Sequence, residues 1–363
     1  MNTKRQMLFV GAPPPPFHGQ AVITGIVFKT KFFGIAPTFY EARFSEEISN
    51  VGGFSLKKVW VLLHAWVTIL SYALGNKRAE LYYCAGSANT VPFLKDVILL
   101  GTVGKLFKKR YIHYHSGGLP TWLEEKGWRA KLGKWSYQSG ANTSIACSRY
   151  VEVPVGDDGL EELPNGLEVP EPKDSKESEQ FTFLFVGALR ESKGLKCLLE
   201  AGEKLDQQGR EFKVKVVGEW SSDMEKERCL SVVCKEYLQR RVEFSGRLTG
   251  DDKWDAFATA EAFVFPSFYE SENMPLVVIE ALGSGVPVIS TNWRSIPKLI
   301  DDGKTGFLVE PKDVDGVTEK MAWLLDNLSK ALEMGETARA QYEMKYSELA
   351  FQARLREILG DVD

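Results

Sequence analysis

The sequence predicts an α/β protein of two domains, each built around a parallel β-sheet, and three observations support this. The chain has 363 residues, which suits two domains of about 150 to 180 residues better than one. Short apolar runs alternate with longer amphipathic stretches through both halves, as expected where helices connect parallel strands. A polar, proline-containing segment, residues 168–180, interrupts the alternation after the turn-forming sequence Pro164-Asn165-Gly166.

The predicted elements follow from the period of the apolar residues. Short continuous apolar runs bounded by turn residues predict buried strands, and longer amphipathic stretches predict helices. Helices are expected at residues 194–205 and 225–238 and from Asp315 onward. The predicted domains are residues 1–167 and 181–345, joined by the linker 168–180. The predicted strands are residues 7–10, 81–84, 111–115, 143–147, 181–186, 213–217, 242–244, 262–265 and 286–290.

The composition is that of a globular protein, with 44% hydrophobic and 26% charged residues. The five cysteines are scattered and form no CxxC pair. This predicts reduced thiols and a cytoplasmic protein rather than a disulfide framework or a zinc site. The apolar run near the N-terminus is too short for a signal peptide and predicts a first buried strand.

The charge is divided unevenly along the chain. Residues 1–165 carry 19 Lys and Arg against 12 Asp and Glu, a net charge of +7, and the rest carries 26 against 37, a net charge of −11. A basic half suggests an anionic partner. Nucleic acid is not expected, because no basic stripe is interleaved with aromatic residues. An anionic membrane surface fits the sequence better.

Two apolar stretches, residues 59–74 and 93–107, bear on membrane attachment. The first is about 16 residues long, short of the ~20 needed to span a bilayer. Lysine and arginine residues flank the first stretch and follow the second. Apolar helices beside such clusters are typical of peripheral attachment to anionic lipid at the inner face of a cell membrane. The alternative is that both stretches are core helices with solvated charged ends.

The most informative motif lies at residues 266–287. A predicted strand ends before it, a polar loop follows, and a helix is expected to begin at Pro275 and to end near Gly283. The free N–H groups at the start of a helix can bind an anion such as a phosphate. Glu272 precedes that helix, and Glu280 lies roughly 7.5 Å along its axis. This arrangement suits a ligand with a diphosphate centre and hydroxyl-rich ends.

The motif resembles the E-x7-E signature of retaining GT-B glycosyltransferases of family 4, which include many bacterial polysaccharide and lipid glycosyltransferases. The sequence Ala-Leu-Gly-Ser-Gly-Val-Pro-Val-Ile that follows Glu280 agrees with it. The resemblance implies that Glu272 contacts the donor sugar and Glu280 the ribose hydroxyls, and that N–H groups around residues 275–277 bind diphosphate. Asn273 stands where the family often has glycine, so its side chain is expected to shape the sugar pocket. The donor-binding residues expected here are Glu272, Asn273, Met274, Pro275, Leu276, Val277 and Glu280.

A second motif, residues 185–194, carries two cations in a strand–turn–helix sequence. After the strand ends at Gly187, Arg190 offers a hydrogen-bonding fork and Lys193 a point charge, and both suit a diphosphate. They would neutralise charge on a leaving nucleoside diphosphate. The turn resembles the family's arginine and lysine turn, although Ala188 stands where arginine often follows the glycine. The alternative is an ordinary surface turn.

A third motif, Gly246-Arg247-Leu248, ends another strand of the second half. It resembles the segment whose backbone holds the nucleobase in the family. A glycine after a strand is also common in ordinary turns, so the motif carries less information than the other two.

In the first half, the proline-rich loop at residues 11–21 joins a strand to a helix, and Gly19 permits close backbone approach at the helix start. The loop resembles the family's glycine loop, which faces the diphosphate and the acceptor. It is not a G-x-G-x-x-G fingerprint, so no nicotinamide site is expected. His113 and His115 share one face of a later strand. His115 resembles a histidine that touches the donor sugar, with a structural role as the alternative, and His113 is expected in the core.

The resemblance therefore implies a GT-B fold, with two Rossmann-like domains facing each other across a cleft. The donor would lie on residues 181–345 and the acceptor on residues 1–167, and the last helix, near residues 346–363, would pack on the first domain. The expected catalytic residues are His115, Arg190, Lys193 and Glu272.

The implied reaction is transfer, with retention, of a sugar from a UDP- or GDP-sugar to a glycan or lipid-linked acceptor. No carboxylate is an obvious covalent nucleophile, which favours front-face attack. The sequence has no HExxH, Cys/His cluster or compelling Asp-x-Asp motif, so no metal or further cofactor is expected, and Arg190 and Lys193 would take the metal's role. The alternatives are a non-catalytic nucleotide-sugar-binding subunit and a nucleotide-sugar epimerase of the same fold.

Overall fold

The computed structural model describes residues 4–43, 56–156, 158–171 and 180–361. Residues 172–179, most of the predicted linker, lie outside the described residues. The chain divides into two compact units: Met1–Asn165 with Glu348–Asp363, and Gly166–Ser347. Each unit contains one parallel sheet with helices between its strands, which confirms the predicted fold class.

The sheet of the N-terminal unit has six described strands, and every neighbouring pair is parallel. Its central strands are buried along their length, because a parallel sheet is covered on both faces. The strands are β1 (Arg5–Gly11), β2 (Ile35–Glu41), β3 (Glu80–Cys84), β4 (Lys109–Tyr114), β5 (Asn142–Ala146) and β6 (Leu160–Glu162), in the sheet order β2-β1-β3-β4-β5-β6.

The sheet of the C-terminal unit also has six described strands, all parallel. The carboxyl ends of parallel strands meet at one edge, so the loops that follow these strands are brought together there. The strands are β7 (Thr182–Val186), β8 (Lys213–Val217), β9 (Val242–Gly246), β10 (Ala262–Phe265), β11 (Val288–Thr291) and β12 (Gly306–Val309), in the sheet order β12-β11-β10-β7-β8-β9.

Five described helices connect the strands of the N-terminal unit, and seven belong to the C-terminal unit. The first five are α1 (Gly19–Lys29), α2 (Leu56–Gly75), α3 (Thr90–Gly101), α4 (Leu119–Glu124) and α5 (Gly127–Gly133). The next seven are α6 (Leu195–Gln207), α7 (Asp223–Leu230), α8 (Lys235–Arg241), α9 (Gly250–Ala258), α10 (Leu276–Gly283), α11 (Val314–Asp326) and α12 (Leu328–Lys345).

A last helix, α13 (Glu348–Ile358), belongs to the N-terminal unit. Arg354 of this helix lies with Nη2 2.8 Å from Oε2 of Glu161 in β6. Beyond the helix, the carboxylate of Asp361 accepts hydrogen bonds from the backbone N–H groups of Phe33 and Gly34, at 2.9 and 2.7 Å. Residues 166–171, by contrast, belong to the C-terminal unit, where the N–H of Val169 donates to the hydroxyl of Tyr342 in α12 at 2.9 Å.

The structure differs from the sequence prediction in a few elements, each for a local reason. Strand β2 contains Pro37 and lies at a sheet edge, where a missing N–H is tolerated. Strands β6 and β12 were not predicted. Strand β6 has only three residues, two of them glutamate, and β12 begins with a glycine. The predicted helix at 225–238 is two helices, α7 and α8. Residues 93–107 form α3 followed by a short 3-10 helix, Val103–Leu106.

Candidate active site

The loop between β10 and α10 carries the first motif. Pro275 caps α10, which begins at Leu276, so the free N–H groups at the start of the helix point toward the carboxyl edge of the sheet. Two side-chain hydroxyl groups hold this loop in place. The Ser290 hydroxyl donates to the carbonyl of Phe265, and the Thr291 hydroxyl donates to that of Ser267.

Glu272 and Lys193, predicted from two separate motifs, form an ion pair. Nζ of Lys193 lies 2.5 Å from Oε2 of Glu272, and their side chains are 17% and 9% exposed. The buried hydroxyl of Ser267 donates to the same oxygen at 2.9 Å. A largely buried carboxylate held by a cation and a hydroxyl has a fixed orientation.

The sequence reasoning gave no role to Tyr269, although it lies inside the first motif. Nζ of Lys193 lies 4.5 Å from the centroid of its ring, and Cζ of Arg190 lies 5.3 Å from it. The Tyr269 carbonyl accepts a hydrogen bond from Nε1 of Trp293 at 2.9 Å. Both predicted cations therefore lie against the ring of Tyr269, and Lys193 also contacts Glu272.

The turn after β7 brings these cations to the sheet edge. Arg190 precedes a 3-10 turn, Glu191–Lys193, and Gly194 follows it with φ 87°. A Cβ atom on Gly194 would overlap the carbonyl of Pro266, so the glycine lets the two loops approach closely. Nε of Arg190 is buried and has no hydrogen-bond partner among the described residues.

Glu280, the second carboxylate of the motif, lies inside α10 and is 7% exposed. Oε1 of Glu280 lies 2.6 Å from Nζ of Lys253, a residue of α9. Burial raises the pKa of the Glu280 carboxyl, and the charge of Lys253 opposes that rise. Sequence reasoning missed Lys253, because no motif contains it and it lies 27 residues from Glu280.

A cavity of about 390 Å³ opens at the same edge of the C-terminal unit. Its walls include three residues predicted from the second and third motifs, Gly187, Arg247 and Leu248, together with Lys253. The indole of Trp220 forms another part of the wall. Gly246 lies between these segments with φ 68° and turns the chain after β9. The cavity therefore unites the second and third motifs.

The remaining predicted residues of the first motif lie in the loop and the first turn of α10. Asn273, Met274 and Pro275 are buried, and Leu276 and Val277 are half-buried. Val278 donates its N–H to the carbonyl of Pro275 at 3.1 Å. The N–H groups that precede it in the helix are the ones available to a diphosphate.

In the N-terminal unit, Gly19 is the first residue of α1. The preceding His18 caps this helix, with Nδ1 accepting from the N–H of Ala21 at 3.4 Å. A smaller cavity, about 140 Å³, lies beside this loop and is lined by Pro15, His18 and Gln20, among others.

His115 directly follows β4, and its ring centroid lies 4.0 Å from that of His113. His113 is fully buried, with Nδ1 2.6 Å from the hydroxyl of Tyr82, so it lies in the core as expected. Burial, and secondarily the charge of His18, lowers the pKa of His115 to about 3. His115 is therefore a neutral imidazole at physiological pH.

Two features are absent from the described residues. No cluster of three or more His, Cys, Asp or Glu side chains has the geometry to hold a metal ion. None of the described helices combines the length and the apolar character needed to span a bilayer.

Comparison with known proteins relates the C-terminal half of the chain to a known family. Residues 170–341 match the family model for Glycosyl transferases group 1. The sulfoquinovosyl transferase SQD2 of Arabidopsis thaliana is 32% identical over 185 residues, which are 50% of this chain and 33% of that protein. The D-rhamnosyltransferase WbpZ of Pseudomonas aeruginosa is 32% identical over 166 residues, 46% of this chain and 41% of that protein. The chain thus spans between a third and a half of the length of these relatives.

A solved structure resembles the chain over nearly its whole length. HepE of Anabaena, in complex with UDP and glucose, has a TM-score of 0.68 at 15% identity and covers 98% of this chain and 99% of its own. At that identity the likeness concerns the fold, and it confirms the predicted GT-B architecture. Residues 170–341, which carry the paired glutamates and the cationic turn, match the model of the family Glycosyl transferases group 1.

Proposed function

We propose that this protein is a retaining, metal-independent glycosyltransferase that moves a sugar from a UDP- or GDP-sugar to a glycan or lipid-linked acceptor. The observation that carries the proposal is the contact between Lys193 and Glu272 beside the start of α10. A cation that suits a diphosphate, a carboxylate that suits a sugar and free helix N–H groups at one sheet edge support the proposal.

The matched proteins support a role in cell-surface polysaccharide synthesis. WbpZ is a D-rhamnosyltransferase, and a putative colanic acid glycosyltransferase of Salmonella typhimurium is 29% identical over 185 residues. HepE binds UDP and glucose. A nucleotide-sugar donor and a glycan acceptor are therefore the substrates that we propose for this chain.

In the proposed mechanism, Arg190 and Lys193 stabilise the negative charge that develops on the leaving diphosphate. Both cations are held by the ring of Tyr269 before the reaction begins, so little reorganisation is needed. Glu272 accepts hydrogen bonds from hydroxyls of the donor sugar. Because Lys193 and Ser267 already hold one of its oxygens, we assign it to sugar binding rather than to covalent attack, which favours front-face transfer with retention.

We also propose that the N-terminal unit attaches to an anionic membrane surface. On α2, Trp60, Leu63 and Val67 lie on one face and are 68%, 59% and 54% exposed. Exposed Leu94 and Ile98 lie on α3, which contacts α2. Large apolar side chains in water mark a surface that another phase or partner covers.

The charge beside this apolar surface favours lipid over a protein partner. Residues 56–79, 97–123 and 126–151 contain no Asp or Glu. Lys105, Lys108, Lys131 and Lys134 are exposed, and Nζ of Lys105 lies 4.3 Å from the ring of Trp135. Lysines and tryptophans beside an apolar helix face match the headgroup layer of an anionic bilayer.

A two-stage assay tests the enzymatic proposal. A thermal-shift screen of UDP, GDP, ADP and their sugars identifies the donor, since a ligand at 100 times its Kd stabilises by about 2.7 kcal/mol. NMR then follows the anomeric configuration of the product with a glycan acceptor. We expect retention, and equal rates with and without EDTA.

Three variants assign the result to the site. Glu272→Gln should lower kcat, whereas Glu280→Gln should mainly raise the Kd of the nucleoside diphosphate. Glu270→Gln, an exposed residue of the same loop, is the matched control and should change neither. Binding without transfer would indicate a non-catalytic subunit, and inversion of the sugar's own configuration without an acceptor would indicate an epimerase. A rate that disappears in EDTA and returns with Mg²⁺ would contradict the metal-independent mechanism.

A further inference from the structure

Lys253 and Glu280 form an ion pair that joins α9 to α10. Nζ of Lys253 lies 2.6 Å from Oε1 of Glu280, and the two side chains are 22% and 9% exposed. Both charges of this pair lose most of their water, and their contact compensates for part of that loss.

The two oxygens of Glu280 are not equivalent. Oε1 accepts from Lys253, whereas Oε2 is buried and has no hydrogen-bond partner among the described residues. Buried polar atoms of proteins nearly always have a partner. A buried carboxylate oxygen without a partner is therefore a group that a ligand hydroxyl can satisfy.

Lys253 connects Glu280 to the cavity, because it contacts Oε1 of Glu280 and also lines the cavity. Its side chain lines the cavity of about 390 Å³ together with Gly187, Trp220 and Arg247. An ammonium group has three N–H donors, and Glu280 accepts from one of them. The others remain for an acceptor in the cavity.

We propose that Lys253 determines specificity for the ribose of the donor nucleotide. It holds Oε1 of Glu280, leaves Oε2 to accept from one ribose hydroxyl, and itself donates to the oxygen of the neighbouring hydroxyl. The inference rests on the proposed function, in which a nucleoside diphosphate binds at this sheet edge. The ammonium group of Lys253 and Oε2 of Glu280 are a donor and an acceptor that match two adjacent hydroxyls of a ribose. A sugar without these hydroxyls would leave both groups unpaired.

Calorimetric titration tests this role with two probes: the nucleoside diphosphate, UDP or GDP, that the thermal-shift screen selects, and its 2′,3′-dideoxy analogue. Wild-type protein should prefer the ribonucleotide at least tenfold. Lys253→Met should weaken ribonucleotide binding at least tenfold and leave the Kd of the analogue within about twofold, so that the preference is lost. Lys253→Arg keeps the charge and the donors and should restore most of the preference. Lys204→Met, which removes a surface lysine of α6 paired with Asp315, is the matched control and should behave as wild type.

Each outcome decides the question. If Lys253→Met keeps the wild-type Kd and preference while Glu280→Gln loses them, Lys253 has no part in recognition and the proposed function stands. If wild-type protein binds no nucleoside diphosphate, the proposed function and this inference both fail. If Lys253→Met does not fold, by circular dichroism, Lys253→Gln replaces it. Glutamine keeps a donor for Glu280 but removes the charge and shortens the side chain by one bond, so a reduced preference for the ribonucleotide is expected.

Discussion

At the scale of residues, the candidate site depends on contacts between side chains that are far apart in the sequence. Lys193 and Glu272 are 79 positions apart, yet their charged atoms lie 2.5 Å from each other. Tyr269 adds an aromatic face under both Lys193 and Arg190. The ion pair, the hydroxyl of Ser267 and the ring of Tyr269 together hold these side chains in place.

We expect Lys193→Ala to lower kcat by on the order of 10²-fold or more, because it removes a preorganised cation from the leaving group. Lys196→Ala is the matched control. That lysine lies one turn away, with Nζ 3.7 Å from Oε1 of Glu191, and its loss should leave the rate within about twofold. Initial rates with the donor in excess measure both variants. Equal rates for Lys193→Ala and wild type would remove Lys193 from the site.

The lowered pKa of His115 predicts that the free energy of unfolding depends on pH. The pKa of His115 is about 3 in the folded protein, against the ordinary 6.5, because of its burial. Between these values the unfolded chain binds a proton that the folded protein excludes, so stability falls as the pH drops from about 6.5 toward 3. His115→Gln should reduce this slope by up to about 1.4 kcal/mol per pH unit. Urea unfolding at pH 7.5, 6.5 and 5.5 measures it, and identical slopes for the variant and wild type would contradict the shift.

The sequence pointed to candidate residues of this site but not to the contacts between them. Glu272, Glu280, Arg190 and Lys193 were found because each belongs to a short motif at a strand end. Lys253 and Trp220 were missed, because they meet the cavity only after separate strands have been placed side by side. The roles of all these residues, and of His115 and Gly19, remain predictions until ligand binding is measured.

At the scale of elements, the site depends on close approach of the loops after β7 and β10. These strands are neighbours in the sheet, so the turn ending at Gly194 lies against Pro266. The sequence predicted both strands from their buried apolar runs. It did not predict the edge strands β2 and β6, which carry proline or glutamate and lack the periodic apolar pattern.

We expect Gly194→Ala to destabilise the C-terminal unit and to impair donor binding, because a Cβ atom there overlaps the carbonyl of Pro266. Gly209→Ala separates this overlap from backbone strain: Gly209 also has positive φ, 75°, but a Cβ atom there meets nothing within 4 Å. The overlap should cost about 1–3 kcal/mol beyond the strain common to both. Thermal unfolding and nucleotide titration measure the difference. Equal effects of the two substitutions would show that the close approach is unimportant.

At the scale of the whole molecule, charge and apolar surface are unevenly divided along the chain. The N-terminal part, residues 1–165, has a net charge of +7, and the remainder has −11. The strongly exposed apolar side chains Trp60 and Leu63 lie in the basic part. The two predicted apolar stretches are therefore neither simple core helices nor spanning helices: each has a buried face, seen at Ala65 and Leu99, and an exposed one.

We expect the protein to sediment with vesicles that contain anionic lipid, and less so at high salt, because each nearby Lys or Arg contributes about 1 kcal/mol and salt screens it. Leu63→Glu places a negative charge on the exposed face of α2 and should reduce bound protein at least tenfold. Leu332→Glu makes the same change on α12 of the C-terminal unit, at a side chain that is 70% exposed, and is the matched control. Neutral vesicles separate electrostatic from purely apolar binding. If wild-type protein stays in solution with anionic vesicles at low salt, or if both variants lose binding equally, the apolar face of α2 is not a membrane surface.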